Sequence, residues 1–219
     1  LDRIRLLFEK KGRAVYISHL DLMRTLQRAF ARADLPLLYS EGFNPHPQIS
    51  ILLPLSVGAA SECEILEFRL KNYVNLNEIA ERLNPALPEG VRVLSAYEAQ
   101  EKVKFLKYLR IEGRLEYDNS APSEKAEQLS SFFAQKEIVI IKRTKKGEGE
   151  SDIAPAIKEI SFKAAENYVN LNALISAQEP TLNPENLINA LRQLAPKLAP
   201  DFAQFTRLEV YHENMEIFR

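Results

Sequence analysis

In 219 residues the chain carries 29 lysines and arginines against 30 aspartates and glutamates, with 46% hydrophobic residues and a single cysteine. That length and apolar content supply one large core or two modest ones and argue against disorder, while the near-neutral balance excludes a wholly basic nucleic-acid-binding domain. Cys63 alone cannot make an intrachain disulfide or a cysteine-rich metal or iron–sulfur site, and it fits a reducing compartment.

No apolar run approaches the roughly 18 residues that span a membrane, and the start LDRIRLLFEKKGR lacks the order of a signal peptide. The expectation is a cytoplasmic protein. Arg3 to Glu9 reads as a strand ending in the KKG turn, where Lys10, Lys11 and Arg13 gather positive charge. AVYI reads as a second extended piece leading into Ser18, whose hydroxyl suits a helix cap, with Asp21 three residues on. From Leu20 to about Ala33 the period is helical: Leu22, Leu26, Ala29 and Ala33 form an apolar seam. Arg24, Arg28 and Arg32, every fourth residue, stack along another face.

Pro36 stops that helix, Leu37 to Tyr39 reads as a short strand, and SEGFNPHP as a tight loop in which Gly42 takes a positive φ. Ile49 to Leu55 and Glu64 to Leu70 read as strands, Asn75 to Leu83 as a helix and Val91 to Tyr97 as a strand. Strand, helix, strand, strand, helix, strand is the order of a split βαβ unit. The second half reads similarly, with Tyr108 to Tyr117 a strand, Glu124 to Phe133 a helix, and Glu137 to Lys142 a strand running into the polar TKKGEGESD loop or hairpin. Strands over Ile157 to Phe162 and Tyr168 to Leu174, a helix opened by Pro184, and a strand over Phe205 to Tyr211 complete it. The expected fold is α+β, with two tandem ferredoxin-like modules, residues 1–100 and 101–219, the first carrying SHLD and YSEGFNPHP and the second an inserted basic hairpin.

Chemistry concentrates between Ser18 and Pro47. If His19 meets the SEGFNPHP loop, His19, His46, Glu41 and Ser40 share a pocket, offering a general base near neutral pH, a carboxylate and polar donors. Both histidines are equally compatible with plain structural hydrogen bonding. Two imidazoles 27 residues apart are not a metal signature, so no metal site is assigned. Lys10, Lys11, Arg13, Arg24, Arg28 and Arg32 would neutralise a phosphate backbone, or simply be a solvated face, and Lys142, Arg143, Lys145 and Lys146 form a second basic patch. Two basic surfaces on a neutral chain suggest a cleft for RNA, beside which Tyr16, Tyr39 and Phe43 either stack on bases or simply pack in the core, with Ser40 and Asn44 shaping a recognition loop. Gly147 and Gly149 do not make a phosphate-binding loop.

The stretch YISHLDLMRTLQRAFARADLPLLYSEGFNPHPQISILLPLSVGAASECE resembles the signature of the radical-SAM-linked domain family, a domain found beside or fused to radical SAM proteins. KRTKKGEGESDIAPAIKEI and TRLEVY extend the likeness over nearly the whole chain. The resemblance implies a radical SAM partner and an RNA connection, and no catalytic residues carry over with it. The chain has no CxxxCxxC, so the radical chemistry belongs to the companion and no cofactor is expected here.

Three readings follow. The first is an RNA-binding or substrate-presenting accessory module, with no preference for DNA inferred. The second is a metal-independent endoribonuclease using His19 or His46, with Glu41 nearby. The third is a protein-binding scaffold for the radical SAM companion.

Overall fold

The computed structural model describes residues 3–118, 121–144 and 147–219, and the side chains of 143 and 144 lie outside the description. It is a mixed α+β structure with four α-helices among the described residues, and it divides into two compact units, Leu1–Phe105 with Arg219, and Leu106–Phe218.

In the first unit, β1 (Ile4–Lys10), α1 (His19–Arg32), β2 (Ile49–Ile51), β3 (Ala60–Phe68), α2 (Leu76–Leu83) and β4 (Val91–Glu98) follow one another. The sheet runs β4-β1-β3, with β2 pairing β3 beside Leu66, Glu67 and Phe68, and each of these pairings is antiparallel. α1 starts where the hydroxyl of Ser18 accepts from the Asp21 amide at 3.2 Å and donates to the Asp21 carboxylate at 2.8 Å. That hydroxyl, with Arg24 second, holds the Asp21 carboxyl below its ordinary pKa. The seam Leu22, Leu26, Ala29 and Phe30 is buried, and the Phe30 ring meets Phe68 edge-on with centroids 4.8 Å apart. Each such large apolar side chain stabilises by about 1.5–3 kcal/mol.

The C-terminal end of α1 is closed from α2. The Arg82 guanidinium donates to the Ala33 carbonyl at 2.8 and 3.1 Å and to the Asp34 carbonyl at 2.6 Å, a cation where the helix dipole is negative.

Two local expectations change. AVYI lies mostly in a 3₁₀ turn, Gly12–Tyr16, because Gly12 turns the chain at φ +55° and buries Ala14 and Val15. The strand after the SEGFNPHP loop stops at Ile51, shortly before Pro54, which has no amide to pair. Of the hairpin and loop readings of TKKGEGESD, the hairpin holds over the described residues: β7 (Gly147–Asp152) runs antiparallel to β6 (Val139–Thr144).

Lys10 is also displaced from the surface. It is 1% exposed, and its ammonium donates to the Ile17 carbonyl at 2.9 Å and the Val15 carbonyl at 3.3 Å, tying the 3₁₀ segment to β1. Burial lowers its pKa below the ordinary 10.5, partly opposed by the charge of Glu64. Between that lowered value and 10.5 the unfolded chain holds a proton that the folded chain does not, so the contribution of Lys10 to stability rises with pH through the window. Denaturant unfolding at a series of pH values should show the wild type gaining on Lys10→Met as pH climbs toward 10.5. A pH-independent difference would reject the assignment.

In the second unit, β5 (Tyr108–Glu116), α3 (Pro122–Phe133), the β6–β7 hairpin, β8 (Ile157–Ala164), β9 (Tyr168–Ser176), α4 (Glu185–Leu194) and β10 (Phe202–Tyr211) form an antiparallel sheet in the order β10-β5-β9-β8, with the hairpin as a separate two-stranded sheet. Phe133 of α3 stacks on Phe162 of β8 at 5.5 Å. The Gln193 side chain of α4 clasps the Ile141 peptide, accepting from its amide at 2.8 Å and donating to its carbonyl at 3.1 Å, which closes one edge of β6.

Candidate functional site

The loop after α1 is built on backbone pairing before any side chain acts. The Leu38 amide donates to the Arg69 carbonyl at 2.8 Å, the Gln48 amide to the Leu38 carbonyl at 2.7 Å and the Ser40 amide to the His46 carbonyl at 2.9 Å. Bridges Leu37 to Leu70 and Tyr39 to Pro47 complete the ladder. Across its neck the Ser40 Oγ accepts from the His46 amide at 3.1 Å and lies 2.9 Å from His46 Nδ1. Beyond this clasp Gly42 takes φ +118°, and residues 41–46 are exposed, with Phe43 fully so. Tyr39 is about half exposed, and the Lys71 ammonium lies over its ring at 5.7 Å. A loop clasped at its neck thus carries an exposed aromatic at its tip, with a second aromatic and a cation at its base, groups chemically suited to stacking.

His46 also lines a cleft of about 320 Å³ with Arg3, Gln48, Ser50, Glu67 and Arg69. His19 does not line it. Half-buried at the first position of α1, His19 makes no side-chain hydrogen bond or ion pair among the described residues, and Glu41 is exposed and likewise unpaired among them. Among the described residues there is no group of three His, Cys, Asp or Glu side chains that could hold a metal. Asn44 contributes its carbonyl, 3.5 Å from His46 Nδ1.

The basic residues are sorted by their partners. Arg24, Arg28 and Arg32 are all exposed on α1, but Arg24 pairs with Asp21 at 3.2 Å and Arg32 donates to the Ala86 carbonyl at 2.6 Å. Arg28, and Arg13 in the exposed turn, have no polar partner among the described residues. Lys11 is held by Glu9 at 3.0 Å and Glu62 at 3.1 Å, and the Glu9 bond foremost raises its pKa. Lys10, buried against backbone carbonyls, leaves the surface set. Lys142 is half-buried, and desolvation lowers its pKa. Lys145, Lys146 and the Arg143 side chain lie outside the described residues. In the hairpin register Arg143 stands opposite Glu148 and Ile141 opposite Glu150, so acidic residues face this basic strand. Asp152 is structural, its carboxylate accepting from the amides of Ile138 at 2.9 Å and Ala154 at 3.0 Å.

Arg3, Arg69 and Lys71 escape the sequence reading. Glu67 of β3 and Arg69 just beyond it line one cleft, but only the cross-strand register, with Arg5 opposite Glu67, shows which charges meet there.

A family model described as "Uncharacterized protein conserved in bacteria (DUF2344)" matches residues 3–184. No curated protein matches the chain. Among solved structures, one described as "Crystal Structure of an Unknown Protein from Galdieria sulphuraria" aligns over 94% of this chain and 98% of its own, at 9% identity and a TM-score of 0.29, a likeness too slight to carry an argument.

Proposed function

We propose that this chain, which belongs to the family of bacterial conserved proteins designated DUF2344, is an RNA-binding accessory module that works with a radical SAM protein in the cytoplasm. The observation that carries the reading is Phe43, fully exposed at the tip of a loop whose neck is clasped by Ser40 and His46. An exposed aromatic in water gains by covering its face. A base supplies that cover, and the cations of Arg13 and Arg28, without polar partners among the described residues, supply backbone neutralisation. No helix among the described residues is long and apolar enough to cross a membrane, and the one cysteine is buried. The radical SAM companion is argued from sequence resemblance, with cluster chemistry assigned to that partner because this chain lacks the cysteines for it.

We also read each unit as a ferredoxin-like module. The strand orders support this: with strands counted from each unit's start, and the β6–β7 hairpin set aside, both sheets run fourth, first, third, second.

The test is binding of the purified protein to short single-stranded and structured RNAs across a salt series, with the RNA sized afterwards. Phe43→Ala is expected to weaken single-strand binding by about tenfold, within the roughly 1–3 kcal/mol of one stacked base. Arg28→Ala should reduce the slope of log K against log salt by about 0.7, the value for one phosphate contact on a single strand. Absence of binding at low salt, or wild-type affinity in Phe43→Ala, would reject the reading. Discrete cleavage lost on replacing His46 would replace it with the endoribonuclease.

A further inference from the structure

The cleft beneath the loop has a charge arrangement of its own. Glu67 is its acid, but that carboxylate is already committed: its Oε2 accepts from Arg5 Nε at 3.1 Å and Nη2 at 3.0 Å, and Arg5 is wholly buried. Arg3 reaches the other oxygen, Oε1, at 3.4 Å and remains about half exposed. Arg69 is half-buried on the cleft wall, and its guanidinium has no hydrogen bond or ion pair among the described residues. Its backbone is pinned on both sides, with the amide donating to Gln48 at 3.2 Å and the carbonyl accepting from Leu38. With Arg5 neutralising Glu67, the cleft keeps two guanidinium charges in excess.

His46 adds an imidazole. Ser40 Oγ accepts from the His46 amide and lies 2.9 Å from Nδ1; in the tautomer where that hydroxyl donates to Nδ1 the ring proton sits on Nε2, and in the imidazolium both nitrogens donate. Gln48 and Ser50 bring neutral donors to the same walls. Two planar forks, an imidazole N–H, an amide and a hydroxyl around one cleft match the oxygens of a phosphoryl group, and the excess charge favours a dianion over a singly charged diester.

We infer that this cleft takes a phosphate monoester, such as the terminal phosphate of an RNA strand whose bases lie along the Phe43 loop. The RNA part of the inference rests on the proposed function, whereas the anion part does not. It is tested with the full chain and one short RNA made with a 5′-phosphate, a 3′-phosphate or hydroxyl ends, alongside inorganic phosphate titrated while the His46 ring resonances are followed by NMR. One phosphorylated form is expected to bind about tenfold more tightly than the hydroxyl form, the scale of one charge-assisted hydrogen bond. Which form gains identifies the end that is read.

Arg69→Ala should bring that ratio near one, and Arg69→Lys, which keeps charge but loses the fork, should recover only part of it. Equal affinity for all three ends, with His46 indifferent to phosphate, overturns the inference even if RNA binding itself persists. A His46 response to phosphate in a protein without RNA affinity upholds the phosphate site and rejects the RNA reading. The His46 measurement uses the unmodified chain, so it decides the question even if an Arg69 variant fails to fold.

Discussion

Arg5→Ala is expected to destabilise the protein by about 3–5 kcal/mol, the range found when one partner of a buried ion pair is removed. Arg5 is 0% exposed, and besides Glu67 it donates to the Glu101 carbonyl at 2.6 Å and the Arg219 carbonyl at 2.9 Å. Truncation leaves Glu67, with a side chain only 14% exposed, facing a cavity without its main counter-charge. Arg3 cannot substitute, because its contact is longer and its side chain is 47% exposed. Replacing both partners by apolar residues of similar size should recover most of the loss, since the penalty is an orphaned charge more than a lost attraction. The chain has no tryptophan, so urea unfolding followed by circular dichroism is the suitable measurement. A loss under about 1 kcal/mol would mean that water reaches Glu67 freely.

Gly90→Ala should cost about 3 kcal/mol, the upper end for a residue held in a disallowed backbone region. Gly90 sits at φ +86° before β4, and a methyl there would lie 2.3 Å from the Lys11 carbonyl and 2.9 Å from Ala14 Cβ. The obstacle is mainly backbone, which a rotamer change cannot relieve. The Gly90 carbonyl also accepts from the Lys11 amide at 2.8 Å, so a shift of residue 90 would pull on the turn that positions the 3₁₀ segment and α1. Gly58→Ala is the control. It has a similar φ, +90°, but open space around the added carbon, so only the conformational cost of about 1–2 kcal/mol remains. Equal losses at both positions in thermal unfolding would show that the close approach at Gly90 is relieved by movement.

Much of this structure was legible in local chemistry. A side chain that bonds its own neighbours acts on whatever the tertiary fold turns out to be: Ser18 caps α1, and Gly42 takes the positive φ that its loop demands. Helical periodicity found the buried seam of α1 for the same reason, since a period of 3.6 is a property of the chain alone. The Ser40–Pro47 loop was also recognisable as polar, stiff and aromatic.

Charge was read less well, because the worth of a charge is set by what stands opposite it. The arginines of α1 share a face by sequence, yet Asp21 and the Ala86 carbonyl engage two of them and leave Arg28 unpaired among the described residues. Lys10 looked like one more cation in a basic turn. It lies instead under two carbonyls, because the Gly12 turn folds the following segment back over it. Its long stem allows either outcome, and nothing within a few residues chooses between them.

The sequence by itself determined where the chain turns, which faces are apolar and which loop is stiffened by glycine and proline around an aromatic, since these depend on residues close together in the chain. Tertiary structure alone decided that His46, and not His19, shares a cleft with Arg3 and Arg69, and that Arg5 neutralises Glu67 across strands 62 residues apart. The pairing of Arg5 with Glu67 depends on strand register, and a slip of one residue would part the two side chains to opposite faces.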